Sequence, residues 1–470
     1  MKTPLYTALA QHAEKKPYSF HVPGHHNGDV FFDEARTYYE SILQLDVTEL
    51  EGLDDLHHPT GVIQEAEHLL AKLYGSEQSF FLVNGTTVGN LAMVLAACRT
   101  GDEIFVQRNC HKSVYHAIEL AGATPIMVEA EIDPHLHVPT HVTDKTIRKA
   151  IAKHPNCRAI VLTYPNYYGH AADLSKLIHI CHEAGMSVLV DEAHGAHFVL
   201  GGVFPPSALS YGADVVVQSA HKTLPAMTMG SYLHLQGDRI NAKRLKTCLT
   251  MLQSSSPSYP IMASLDVARA YVEEIKKKGT LDRVMKKVTE LKAEFNRIPQ
   301  LEVIESDSLS TDPLKCTIRS TEGLTGYELK RVLESVEIHP ELADEHQVLL
   351  IFGLEQKKDV PFKRMEHALK KSDSLRKGKD HIQNEALSIE TDDEQRQDIE
   401  AVPFEHAAGR ISAESVIPYP PGIPLMIKGE RIEIDQIAAL SRLLGHQVHV
   451  QASQVIHQRK LYVYIEEETL

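Results

Sequence analysis

The sequence predicts an α/β fold built on a mostly parallel sheet, and two observations carry the prediction. From Ser79 to about His234, short apolar runs alternate with stretches long enough for helices. The runs are apolar at successive positions, as strands are when helices cover both faces of a sheet. Glycines, hydroxyls, histidines and charged residues then crowd in directly after the runs, where an open parallel sheet collects its ligands.

The expected strands are 79–83 (SFFLV), 103–107 (EIFVQ), 125–129 (PIMVE), 159–163 (AIVLT), 187–190 (SVLV) and 214–218 (DVVVQ). Between them, GNLAMVLAAC and DLSKLIHICHEAG read as helices, the second ended by Gly185. Past Ala263 the pattern turns helical, through SLDVARAYVEEIKKK and LDRVMKKVTELKAEF.

A chain of 470 residues is too long for one compact core. We expect an N-terminal segment over 1–60 with loops at an active site or subunit contact, and a large sheet domain over 61–265. A connecting helix and small α/β domain follow over 266–369, then a charged, aromatic-free linker over 370–400 and a C-terminal domain over 401–470.

Net charge is −15, from 48 basic and 63 acidic side chains, which disfavours nucleic acid as a partner. No run approaches the ~20 apolar residues of a membrane span. The first twenty residues carry no continuous apolar segment, so no secretory signal is expected. Six cysteines without CxxC spacing read as reduced thiols, and a cytoplasmic protein is expected.

The chemistry lies after the strands. NGTTVGN supplies Gly85, Thr86 and Thr87 at a helix start, a cradle for phosphate. RNCHKS places His111 on the same edge, DEAHG brings Asp191, and SAHKT brings Ser219, His221 and Lys222. A lysine and an acid at the ends of two strands suggest pyridoxal phosphate. This cofactor needs a lysine for a Schiff base and a carboxylate to keep its pyridine nitrogen protonated. His111 is available to cover the ring.

The same residues admit rival readings. DEAH matches a helicase motif, but the chain has no G-x-x-x-x-G-K-[ST] loop to hold the nucleotide. His21, His25, His26, His57 and His58 follow no metal-ligand spacing, so no metal is expected. Cys110 as a nucleophile lacks an identifiable base.

With FHVPGHHNG, LDDLHHPTG, NGTTVGN, RNCHKS, VDEAHGAH, SAHKTLPAMT, SSSPSYPIMASLD and YPPGIPLMIKGE in place, the chain resembles the class I ornithine/lysine/arginine decarboxylases in their short bacterial form. The resemblance implies an aspartate-aminotransferase-like, fold-type-I large domain and decarboxylation of lysine, arginine or ornithine to the corresponding amine. It implies that Lys222 carries the cofactor, Asp191 pairs with the pyridine nitrogen, and His111 and Ala193 cover the ring's two faces. Thr86, Thr87, Ser219 and His221 would surround the phosphate, with Ser255 and Glu430 on the substrate side. It also implies a homodimer or larger oligomer whose active site lies at the subunit interface.

Two positions depart from the family pattern near the expected pocket. His194 stands where many members carry a bulky aromatic, and Asn166 where many carry threonine. The alternatives are another fold-type-I reaction, aminotransfer or β-elimination, or a non-catalytic relative.

Overall fold

A computed structural model describes residues 1–306, 309–375 and 399–465. The expected linker over 370–400 therefore lies largely outside the described residues. The chain divides into two compact units. The first comprises Met1–Arg297, Val303–Ile318 and Leu349–Val360, and the second Ile298–Glu302, Arg319–Val348 and Pro361–Leu470.

The first unit is built on seven strands: β1 Gln78–Leu82, β2 Glu103–Gln107, β3 Thr124–Val128, β4 Ala159–Thr163, β5 Ser187–Asp191, β6 Val215–Gln218 and β7 Ser231–Leu235. Their order across the sheet is β1-β7-β6-β5-β4-β2-β3. β2 through β6 pair in parallel, with Thr163 opposite Asp191 and Val190 opposite Val216. β7 runs against both of its neighbours. Six strands match the expected ones within a residue or two.

The seventh, SYLHL, escaped the sequence reading because Ser231 and His234 interrupt its apolar run. Both are nonetheless fully buried. His234 accepts this position because each ring nitrogen has a partner, Ser79 Oγ at 2.7 Å and Gln218 Oε1 at 3.1 Å. Its ring also stacks on Tyr74 at 4.6 Å.

Alternate strand residues feed opposite cores, as the two-residue period requires. Phe81, Phe105, Ile160, Val188, Val190, Val216 and Tyr232 face one layer. Leu82, Ile104, Val106, Val161, Leu189, Val217 and Leu233 face the other. The helix Tyr259–Lys278 packs in the first core, and the helix Gly85–Ala97 in the second.

Gly89 lets that second helix lie hard on the sheet. A Cβ there would meet Val217 Cγ1 at 2.4 Å and Leu82 Cδ1 at 2.8 Å. Close seating fixes the helix N-terminus at the carboxyl edge of the strands. All six cysteines are free and buried. Among the described residues, no helix is long and apolar enough to cross a membrane.

The LDDLHHPTG motif is a loop organised by one carboxylate. Asp54 accepts from the backbone N–H groups of Asp55, Thr60, Gly61 and Ile63 at 2.8–3.0 Å, and so launches the helix Val62–Tyr74. Those bonds outweigh the cost of its partial burial and hold its carboxyl below the usual carboxylate range.

In the second unit, the helix Gly326–Glu334 starts on a reciprocal cap between Thr325 and Glu328. Strand Ile399–Pro403 pairs antiparallel with Lys460–Tyr464. Glu414 ties the backbone N–H groups of Ser453 and Tyr462 together at 2.8 and 3.0 Å.

Candidate active site

Asp191 ends β5 with a carboxylate that is only 5% exposed and is held from two sides. Oδ1 accepts from the Ala193 N–H at 3.1 Å, and Oδ2 accepts from Asn90 Nδ2 at 2.7 Å. The second proton of that amide goes to Ser113 Oγ at 2.9 Å. Ser113 Oγ therefore accepts from Asn90 and turns its own proton toward His111 Nδ1, 2.8 Å away.

The Ser113 N–H donates to the same nitrogen at 3.2 Å, so His111 caps the helix Lys112–Ala121. With Nδ1 an acceptor, the ring proton of His111 sits on Nε2. Burial, joined by the nearby charge of Lys222, pushes its pKa down to about 4 against the attraction of Asp191. His111 is thus a neutral ring near pH 7.

The hydroxyls gather at the start of the helix Gly85–Ala97. Thr86 Oγ1 makes a very short contact with Ser219 Oγ and lies 3.3 Å from Ser231 Oγ. Thr87 is exposed beside them in the first helical turn. Gly85 has φ +74°, a left-handed conformation that glycine tolerates, and its N–H donates to Met229 O at 2.8 Å. His221 Nδ1 donates to Gly230 O at 2.9 Å, so the β6–β7 connection is closed on itself around Lys222.

Lys222 sits in the single helical turn Ala220–Thr223 that follows β6. Its Nζ lies 3.0 Å from His194 Nε2 and 5.5 Å from the centre of the Tyr167 ring. His194 in turn packs against Tyr167 with ring centres 4.2 Å apart.

Beside it, Glu192 is fully buried and serves the fold. It accepts from Ser207, the Ala208 N–H and Gln218 Nε2, while burial pushes its pKa up to about 8. Asn166 is likewise committed to structure, between Pro139 O at 3.0 Å and the His170 N–H at 2.8 Å.

Gly85, Thr86, Thr87, His111, Asp191, Ala193, His194, Ser219, His221 and Lys222 all follow strands β1, β2, β5 and β6 at their carboxyl edge. Ser255 stands exposed in the connection after the helix Ala242–Leu252. Glu430 belongs to the second unit, where Oε2 accepts from the Ile427 N–H at 3.0 Å.

Sequence reasoning missed Asn90, Ser113, Tyr167, Ser231 and Lys315. One signal was available for Asn90, a lone amide inside the apolar helix VGNLAMV. The remaining four had none: Ser113 lies in a helix, Ser231 and Lys315 on strands and Tyr167 in a loop, and only folding brings them beside the other residues.

The architecture, seven strands with one reversed and helices on both faces, is the type I fold of pyridoxal-phosphate enzymes. The chain belongs to the Orn/Lys/Arg decarboxylase family. The model of that family's major domain matches residues 3–310, and the model of its C-terminal domain matches residues 385–448.

It is 52% identical, over the full length of both chains, to the uncharacterized protein YaaO of Bacillus subtilis (strain 168). It is 35% identical to an arginine decarboxylase of the same organism, over 96% of each chain. Among solved structures, the constitutive lysine decarboxylase of E. coli superposes with a TM-score of 0.80 at 19% identity, covering 99% of this chain and 82% of that one.

Proposed function

We propose that the protein uses pyridoxal phosphate to decarboxylate a basic amino acid, releasing the corresponding amine and carbon dioxide. The observation that carries the reading is the pairing of a doubly held Asp191 at the end of β5 with Lys222 just past the end of the adjacent strand β6. The donor set suits the cofactor. The Thr86, Ser219 and Ser231 hydroxyls at a helix N-terminus match a phosphate, and an amine matches an aldehyde.

In this reading Asp191 keeps a pyridine nitrogen protonated, and its two donors stop it from swinging away. His111, neutral and fixed in one tautomer, covers one ring face, with Ala193 on the other. Gly85, Thr86, Thr87, Ser219 and His221 surround the phosphate. Bound there, pyridoxal phosphate supplies the electron sink for the pair left on Cα when the carboxylate departs. Ser255 and Glu430 are proposed for the substrate side, Glu430 as an anion for the distal cation. We also take the protein to be cytoplasmic and to work as a homodimer or larger oligomer completed at the subunit interface.

The relatives that match at 33–35% identity over at least 91% of this chain are arginine decarboxylases, which makes arginine the first substrate to test. Purified protein loaded with the cofactor is incubated separately with arginine, lysine and ornithine, and agmatine, cadaverine and putrescine are scored by mass. One dominant amine supports the reading and names the substrate. A keto acid in place of an amine, or no product with cofactor bound, overturns it.

A further inference from the structure

The free edge of the sheet carries a cavity that the proposed chemistry does not use. It measures about 370 Å³ and lies against β1, between the helix Val62–Tyr74, residues 56–59 and the helix Ala242–Leu252. That volume is in the range of small-molecule sites. The cavity shares none of the residues assigned above to the cofactor.

β1 ends the sheet, so the N–H and C=O groups on its outer side need partners from elsewhere. Two side chains supply them. Glu67 Oε1 accepts from the Phe81 N–H at 2.9 Å, and Gln253 Oε1 accepts from the Val83 N–H at 2.9 Å. Both side chains line the cavity. Ser79, also in the lining, precedes Phe81 by two residues, so its N–H turns to the same outer side.

Glu67 is 8% exposed, and its second oxygen, Oε2, is bonded to no group among the described residues. Burial raises its pKa to about 8, against the Phe81 N–H and the charge of Lys246 and with a further push from Asp54. The carboxyl is therefore mainly protonated near pH 7. With Oε1 occupied as an acceptor, the proton sits on Oε2, the oxygen left for the cavity.

The rest of the polar lining adds donors. Gln253 Nε2 directs one proton at Phe81 O, 3.5 Å away, and carries a second. Lys246 holds its ammonium 5.7 Å from the centre of the Phe80 ring and is in no ion pair among the described residues. His57, His58 and His68 also line the cavity, and Leu56, Phe80 and Leu249 give it an apolar wall. The acid that joins Glu67 in the lining is the exposed Glu77.

A cationic ligand would have to expel the Glu67 proton and lie near Lys246. An anion meets an O–H, an ammonium and amide protons, and hydrogen bonds to an ionised acceptor are the stronger kind. Glu77 opposes a second negative charge. We propose that this cavity is a binding site for a small monocarboxylate, its oxygens held by the Glu67 hydroxyl and the Lys246 ammonium and its apolar part laid on Phe80 and Leu249. The inference does not depend on the decarboxylase reading.

The test uses full-length purified protein, with 4-methylpentanoate as the probe and 4-methylpentan-1-ol as the uncharged control. Saturation-transfer NMR gives dissociation constants from pH 6 to 9.5. Wild type is expected to bind the acid at pH 7 at least about tenfold more tightly than the alcohol. Its affinity should fall by up to about tenfold per pH unit above pH 8, where Glu67 ionises. Thr250→Trp, at an exposed position of the lining, should abolish binding by filling the cavity. Lys246→Met should weaken it by about threefold to tenfold.

Glu67→Gln still accepts from the Phe81 N–H and offers an N–H where the acid offered its O–H. It should bind within about threefold of wild type at pH 7 and lose most of the alkaline fall. That comparison isolates Glu67, because Lys246, Asp54, Glu77 and the three histidines are common to both proteins. An equal alkaline fall in Glu67→Gln would overturn the role of the Glu67 proton. No saturation transfer to wild type, or equal affinity for acid and alcohol, would overturn the inference. Undiminished binding in Thr250→Trp would put the probe elsewhere and overturn it as well. Circular dichroism identifies any variant that fails to fold, and Thr250 and Lys246 are both exposed positions, so theirs are read first.

Discussion

Asn90 donates a 2.7 Å hydrogen bond to the Asp191 carboxylate across 101 residues of sequence. The partner's chemistry fixes the amide's orientation. An ionised carboxylate offers only acceptors, so the NH2 side must face it, and the opposite oxygen, Asn90 Oδ1, is left buried without a partner. The arrangement favours aiming Asp191 over local hydrogen-bond economy, and it is open to direct test.

Asn90→Ala should fold and should retain pyridoxal phosphate more weakly. Removing one hydrogen bond to a charged group costs about 1.5–3 kcal/mol, or roughly 10–100-fold in the dissociation constant. Equilibrium dialysis against the cofactor measures it. Unchanged affinity would mean that the Ala193 N–H alone orients Asp191.

Lys222→Ala should abolish turnover while Asp191 and the Thr86–Ser219–Ser231 hydroxyls still retain some cofactor. Product mass and cofactor absorbance, read on the same sample, separate the two effects. Full activity in this variant would remove Lys222 from the chemistry.

His111→Phe keeps a flat ring and discards both nitrogens. Because His111 is already neutral near pH 7, we expect it to retain activity within about tenfold and to surpass His111→Ala, whereas loss of a proton-transfer group costs typically 10²–10⁴-fold. A loss of that larger size in the phenylalanine variant would show that His111 moves a proton.

Glu67 predicts a pH dependence of stability. It is buried, it accepts from the Phe81 N–H at 2.9 Å, and burial raises its pKa from 4.5 to about 8. A group whose folded value is raised contributes fully below its unfolded value and loses that contribution as pH climbs through the folded one. The melting temperature should therefore fall as pH rises from about 4.5 to about 8, and Glu67→Gln should flatten that fall. Parallel slopes for the two proteins would assign the alkaline loss to other groups, Glu192 first.

Gly89→Ala should destabilise by about 1–3 kcal/mol, since the new methyl must displace Val217 and Leu82. Denaturant melts of the two proteins measure the difference. No change would mean that the helix can lift from the sheet at little cost.

The sheet was legible because β2, β4, β5 and β6 are apolar on both faces, and only a parallel, helix-covered strand combines that pattern with long connections. β7 was not, because its polar residues are buried through partners on other elements, His234 with Ser79 and Gln218 and Ser231 with Thr86. Lys222, Asp191 and His111 were legible because each follows an apolar run directly. Lys315 was not: it follows no strand end in the sequence, and only folding brings it against His194. The rival role considered for Cys110 has a physical answer, since burial raises its thiol pKa to about 12.

The same burial gives the chain a built-in clock. Cys98 and Cys110 lie between β1 and the helix Lys112–Ala121, Cys157 precedes β4, Cys181 and Cys248 sit on separate helices, and Cys316 lies on the strand Lys315–Ser320. A thiol reagent reaches each one only when its own segment opens. Reaction rates at the six sulfurs, resolved peptide by peptide, would rank the order in which the first unit comes apart, with no introduced label.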